Sequence, residues 1–200
     1  NHMHGSSKGP RRPGGTSAEV MFDEARQVIR AYDESGMRVA FSQGLWDQNR
    51  LAYDDEAFLK TLPADLQARA SRYRDGALIP HEDYWKLNSE LMRVYGQGSE
   101  RVRILLFPVN LQWCSDSLLM SSKEFATQHN MGIHIHLVET MYQKQYGLRT
   151  FGKTPLAHLY DLGFLGPEVS IDHGVWLTEG DIELLGESGM MLTHQPSSNF

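Results

Sequence analysis

The chain has 200 residues and a mass of 22.7 kDa, the length of about one domain, and its 22% charged and 40% hydrophobic residues exclude a disordered or collagen-like polymer. Nineteen basic against 25 acidic residues leave a net charge of −6, which argues against nucleic-acid binding through phosphate neutralisation; no apolar run reaches the roughly 18 residues that span a bilayer. Cys114 is the only cysteine, so an internal disulfide is excluded and a reducing cytoplasm is the expected compartment.

Residues 5–15 (GSSKGPRRPGG) read as a mobile loop, with Lys8, Arg11 and Arg12 able to face an anionic group. Thr16 and Glu19 fit a capping box, and Met21, Ala25, Val28, Ile29 and Tyr32 recur at helical spacing until Gly36. Arg38 to Ser42 predicts a short strand. A helical insertion over 45–99 comes next, with helices near Glu56 to Leu62 and His81 to Tyr95 and with Pro63 and Pro80 as breakers. Val102 to Phe107 is almost uninterruptedly apolar, as suits a strand buried on both faces. Ser115 caps a helix from Asp116 to about His129, and Gly132 to Leu137 predicts a strand. Thr154 and Pro155 open a helix to Leu162. Val169 to Asp172 predicts a strand, Thr178 and Asp181 open a helix through Leu185, and Met190 to Thr193 predicts the last strand. Asn1 to Gly5 fits the tail of one more. Alternating helices and strands predict βαβ units and a parallel sheet, as in a barrel or a doubly wound fold. No glycine-rich phosphate loop stands after any strand. Neither end reads as a natural terminus, so an internal slice of a longer protein is expected.

Nine histidines are the feature to explain. His134 and His136 lie two apart on one predicted strand and share a face, while His173 and His194 come directly after the next two strands. His4 sits where an earlier strand would end. In a parallel barrel those ends converge on one mouth. His81, His129 and His158 fall on or beside helices and read as ordinary surface or helix residues. Glu139 stands at i+3 from His136: an imidazole can bind a metal, and a carboxylate one loop position later can move protons to and from a water that the metal activates.

The strings GIHIHLVET, DHGVWLTEGDIELL and THQPSSNF, with FSQGLWDQN and QWCSDSLL, resemble the aminohydrolase and chlorohydrolase branch of the amidohydrolase superfamily, which includes guanine deaminase, S-adenosylhomocysteine deaminase and triazine hydrolases. The resemblance runs from about Gly36 to Phe200. It implies that the whole chain is one partial metal-dependent (β/α)8 barrel domain holding the family's strands 2 to 7, without the first and eighth. It also implies one divalent metal, usually zinc with iron as the alternative. His136 would be a metal ligand, Glu139 the general acid/base, and His173 a hydrogen-bond partner of the attacking hydroxide or the substrate. Gln112, Trp113, His194 and Asn199 would line the substrate. The implied reaction is hydroxide attack on an amino- or halo-substituted nitrogen heterocycle, releasing ammonia, amine or halide. Ring opening of a cyclic amide or imidazolone is the alternative activity, and a non-catalytic barrel without a complete metal site is the alternative class. The expected partner is a small heterocycle, not nucleic acid or a membrane, with a homodimer as the candidate assembly of the complete protein.

The family's first-strand HxH pair would precede Asn1 and its last aspartate ligand would lie beyond Phe200. His2 and His4 mimic that pair, but the residues after them resemble the loop and helix that come after the family's second strand. His134 is expected below His136, as support or core. With one clear ligand and a neighbour, these residues alone are expected to bind metal weakly and to be inactive. Cys114 reads as a small buried residue, Asp47, Gln48 and Asn49 as a loop turn, and Trp46 and Trp113 as either stacking surfaces for a flat substrate or core.

Overall fold

In a computed structural model, residues 18–76, 80–96 and 100–199 are described in full and residues 2–6 by their backbone. They fall into two compact units, Asn1–Phe107 and Pro108–Phe200.

In the first unit, β1 (His2–Ser6) pairs in parallel with β2 (Val39–Leu45), with His4 opposite Phe41, and β3 (Val102–Pro108) lies on the other side of β2. Gly5 and Ser6, read from composition as loop, therefore belong to β1; residues 7–15, and Thr16 with its capping box, lie outside the described residues. Helix α1 (Ala18–Glu34) buries Met21, Ala25 and Ile29, one every fourth residue, and Gly36 ends it in the left-handed region at φ 74°.

The 45–99 segment carries α2 (Asp55–Lys60), α3 (Ala64–Asp75) and α4 (His81–Tyr95). Helix α3 has no apolar stripe and buries no residue, so periodicity could not reveal it. Pro63 and Pro80 stand immediately before α3 and α4, where a missing N–H costs nothing, so they start helices rather than break them. The loop after β2 is a built turn. Asn49 is left-handed at φ 52°, and the buried Asp55 carboxylate accepts the N–H groups of Arg50, Leu51 and Ala52 at 2.8 Å each. Trp46 is 3% exposed with the Arg50 guanidinium 4.0 Å above its ring; of the two readings open to it, packing is the one observed. Helix α4 buries Tyr84, Leu87, Asn88 and Leu91. The Tyr84 hydroxyl donates to the Gln43 carbonyl of β2 at 3.0 Å and accepts the Phe107 N–H of β3 at 3.1 Å.

In the second unit, a 3-10 turn (Leu111–Trp113) leads to α5 (Asp116–His129), β4 (Gly132–Leu137), α6 (Met141–Phe151), α7 (Pro155–Asp161), β5 (Val169–His173), α8 (Glu179–Ser188) and β6 (Met191–Thr193). β4 pairs in parallel with β5, and β5 with β6. Four helices carry hydroxyl caps, Ser115, Thr140, Thr154 and Thr178, the last in a capping box with Asp181. Helix α6 is the second one that sequence periodicity does not predict: it buries only Gln143 and Gly147, and a side chain at Gly147 would meet Pro155 of α7 at 2.7 Å. His158 stands on α7, as expected of a helix residue, but half-buried. Its ring stacks on Phe151 at 3.6 Å, and Nε2 lies 2.9 Å from Asp116 Oδ1, so α7 is tied to α5 through it. On β6, Met191 and Leu192 are 60% and 48% exposed, as fits a short strand paired on one side among the described residues.

Candidate metal and catalytic site

The register of β4 against β5 builds the site. Ile133, Ile135 and Leu137 alternate into the core, each no more than 1% exposed, which sends His134 and His136 to the other face. Parallel pairing sets His134 against Ser170 and His136 against Asp172. Side chains of paired residues share a face. Accordingly, His134 Nδ1 is 2.9 Å from Ser170 Oγ, and Asp172 Oδ2 lies 3.6 Å from His134 Nε2 and 3.5 Å from His136 Nδ1. His134 is buried at 3% exposure, on the same face two residues before His136.

Simple alternation would turn the residues after His136 and Asp172 away. Two backbone kinks redirect them. Val138 and His173 both adopt positive φ, 46° and 73°, and Gly174 comes next at 60°. For a β-branched residue such as Val138 this is a rare conformation. The segment is held by Gly174 N–H donating to Leu137 O and Trp176 N–H donating to Val138 O, each at 3.1 Å. As a result the His173 ring stands 5.1 Å from the His136 ring, and its Nε2 is 3.8 Å from Glu139 Oε1. The Glu139 backbone N–H donates to Gln143 Oε1 at 2.8 Å, fixing the carboxylate's base to the first turn of α6.

His173 is anchored from behind. Asn199 Oδ1 lies 2.8 Å from its Nδ1, and Asn199 Nδ2 lies 3.2 Å from His194 Nδ1. The amide bridges the two imidazoles, one on its oxygen side and one on its nitrogen side. The His173 ring is thereby held from its Nδ1 side, with Nε2 turned toward Glu139. His194 itself is exposed.

Asp172 is the residue that motif reading missed. It is 4% exposed; Oδ1 accepts from Thr193 Oγ1 at 2.7 Å and Gln195 Nε2 at 2.9 Å, and Oδ2 accepts from the same Gln195 nitrogen at 3.0 Å. Burial pushes its pKa up, but the facing imidazoles of His134 and His136 and the Thr193 and Gln195 donors outweigh burial and hold the carboxyl well below the usual range. The available signal was its place beside His173 at a predicted strand end, one register step from His136.

Ligand atoms of His136, Asp172 and His173 all lie within 4.8 Å of one another. Two imidazoles and an ionised carboxylate form a donor set suited to a divalent cation of zinc or iron type. Three donor side chains thus converge where the sequence alone offered one ligand and a neighbour. The 109–113 segment runs beside the same strand end: His136 N–H donates to Val109 O at 2.9 Å, and Asn110 forms a parallel bridge with His136. Asn110 Oδ1 caps the turn by accepting from the Trp113 N–H at 3.1 Å. Gln112 is buried and Trp113 half-buried on that turn. Cys114 is buried at 1% exposure and sits between the turn and the Ser115 cap rather than within a helix. The side chains of His2 and His4 lie outside the described residues.

The amidohydrolase family model matches residues 9–200. The chain is 29% identical over 188 residues to a 5'-deoxyadenosine deaminase of Methanothermobacter thermautotrophicus, covering 94% of this chain and 38% of that protein. It is 39% identical over 110 residues to a 5-methylthioadenosine/S-adenosylhomocysteine deaminase of Thermococcus kodakarensis, covering 55% and 26% of the two chains. Among solved structures, an adenosine deaminase from Xanthomonas campestris with bound zinc superposes with a TM-score of 0.67 at 21% identity, over 91% of this chain and 34% of that one. The chain therefore spans under two fifths of the length of these relatives, and the structural likeness bears out the partial α/β barrel.

Proposed function

Because the chain belongs to the amidohydrolase family, we propose that it carries the proton-transfer half of a metal-dependent deaminase acting on an adenosine-type nucleoside or a similar amino-substituted nitrogen heterocycle. The observation that supports this best is the meeting of Glu139 with His173, and of His173 with His136, at the ends of two neighbouring parallel strands. Deaminase relatives matched over 94% of the chain favour ammonia release over loss of halide or ring opening.

His136 would hold the metal, with Asp172 and His173 beside it. A bound divalent ion, zinc in preference to iron, lowers the pKa of water toward neutrality and so supplies a nucleophile. Glu139 takes the proton from the attacking water as the C–O bond forms at the amino-bearing ring carbon. It then passes that proton to the departing nitrogen as the C–N bond breaks, so that water and an amino-heterocycle become an oxo-heterocycle and ammonia. His173 Nε2 hydrogen-bonds the attacking water, with Asn199 holding the ring from its Nδ1 side. Gln112 and Trp113 lie beside the strand end and contribute hydrogen-bonding and stacking surface for a flat ring, while His194 and Asn199 close the side behind His173.

The test is ammonia release from adenosine, 5'-deoxyadenosine and 5'-methylthioadenosine by the full-length gene product after zinc loading. Turnover that Glu139→Gln abolishes while zinc content stays unchanged supports the proposal. Zinc-loaded protein inert toward the whole panel, or a Glu139→Gln variant of full activity, overturns it.

A further inference from the structure

His136 and the carboxylate beside it carry a second step. Asp172 Oδ2 lies 3.5 Å from His136 Nδ1, and paired strand positions put the two side chains on one face. The carboxylate cannot swing away: Thr193 Oγ1 and Gln195 Nε2 grip Oδ1 at 2.7 and 2.9 Å, Gln195 Nε2 reaches Oδ2 at 3.0 Å, and the His173 N–H donates to Oδ1 at 3.2 Å. An ionised carboxylate only accepts, so it favours a proton on the imidazole nitrogen nearer to it, Nδ1. A neutral imidazole protonated on Nδ1 has its lone pair on Nε2, the form a metal ligand needs, and a carboxylate behind the ring fixes both tautomer and orientation.

We infer that Asp172 is a positioning residue: clamped by Thr193 and Gln195, it holds His136 as the Nδ1–H tautomer and presents Nε2 to the metal. This rests on the reading of His136 as a metal ligand. The four hydrogen bonds from Thr193, Gln195 and the His173 backbone already occupy both Asp172 oxygens, which favours support over ligation. The clamp runs from β4 through β5 to β6 and the turn after it, so the ligand's orientation is set by sheet register rather than by a loop.

The experiment is a long-range proton–nitrogen correlation spectrum of the uniformly labelled, metal-free 200-residue chain at pH 8, which reads the tautomer of each neutral histidine. His136 is expected with a protonated-type Nδ1 and an unprotonated-type Nε2; the reverse assignment overturns the proposal. Asp172→Asn keeps the acceptor for Thr193 but sets an NH2 in place of the negative oxygen. It is expected to move His136 toward the Nε2–H form and to weaken Co²⁺ binding by about 10- to 100-fold. An unchanged tautomer in Asp172→Asn also overturns it, and should that variant not fold, the wild-type spectrum still decides. Co²⁺ attached at His136 Nδ1 together with Asp172 would make the carboxylate a ligand and overturn the positioning role. Failure of the underlying metal reading looks different: His136→Ala would then leave Co²⁺ affinity unchanged whatever the tautomer.

Discussion

Replacing Tyr84 by Phe removes one oxygen from the middle of the first unit. The ring is fully buried, so its packing is retained, while the hydrogen bond given to Gln43 O at 3.0 Å and the one taken from Phe107 N at 3.1 Å are lost. These join α4 to β2 and β3 at once. Each lost buried hydrogen bond costs about 1–2 kcal/mol, so the sum is about 2–4 kcal/mol. With an m-value of about 2–3 kcal/mol/M, the urea midpoint should fall by about 1 M with an unchanged slope. Urea titration monitored by far-ultraviolet circular dichroism measures the midpoint, and amide hydrogen exchange at Phe107 shows whether the loss is local. A midpoint shift below about 0.2 M, on the same slope, would refute the view that this hydroxyl staples the two strands.

Glu139→Gln in the full-length, zinc-loaded protein is expected to lower kcat for ammonia release by about 10²–10⁴-fold while leaving metal content alone, as measured by a coupled ammonia assay and metal analysis. His136→Ala is expected to weaken Co²⁺ binding by at least about tenfold in competition with a chromophoric chelator; equal affinity would remove His136 from the ligand set. Glu168 is half-buried beside Lys123; burial raises its pKa, but the hydrogen bond and charge of Lys123 and a backbone N–H outweigh burial and depress it below the ordinary 4.5. A depressed carboxyl stabilises the fold above its ordinary pKa and loses that effect as pH falls through the folded value. Glu168→Gln should therefore cost about 0.5–1 kcal/mol at pH 6–7 and the difference should fade below about pH 4, checked by thermal melts across that range. Gly174→Ala must hold an L-residue at φ 60° with its Cβ 2.7 Å from Leu192 Cδ1, the mobile end of a half-exposed side chain. Strain of about 1–2 kcal/mol is expected, read as a lowered Tm; an unaltered Tm would show that this turn relaxes freely.

Strands were the most legible elements because their signals are local and redundant. β4 was bounded at Gly132 and Leu137 from the sequence, since alternating Ile, His, Ile, His, Leu has one satisfactory burial pattern. Capped helices were nearly as clear: Ser115 and Thr178 each sit at the helix start where the hydroxyl rule puts them. What escaped were helices held by something other than an apolar stripe. α3 buries no side chain at all, and α6 packs through the bare backbone of Gly147. At the site, His136, Glu139 and His173 stood out because imidazoles and carboxylates at strand ends carry recognisable chemistry. Asp172 did not, because a single aspartate before a histidine has no motif of its own. Its role exists only once β4 and β5 are aligned and Thr193 and Gln195 arrive from β6 and the turn beyond it.

Regular and irregular backbone divide the placement of the side chains at this rim. Strand alternation by itself can deliver every second residue to a face, and it delivers His134, His136, Ser170 and Asp172. It cannot also deliver the residues that end β5 or come after β4 by a short step, and those are the ones proposed to transfer protons. Left-handed backbone at Val138 and His173 supplies the missing rotation, at a cost of order 1–3 kcal/mol for each such residue. That cost is sustained because neighbouring groups fix both kinks: Trp176 N–H bonds Val138 O, Gly174 N–H bonds Leu137 O, and Asn199 holds the His173 ring. The regular part of the sheet thus places His136, which would hold a cation, with Asp172 behind it, and the irregular part places the side chains that would move protons. A substitution that straightens either kink is therefore expected to separate Glu139 from His173 while leaving His136 and Asp172 in register.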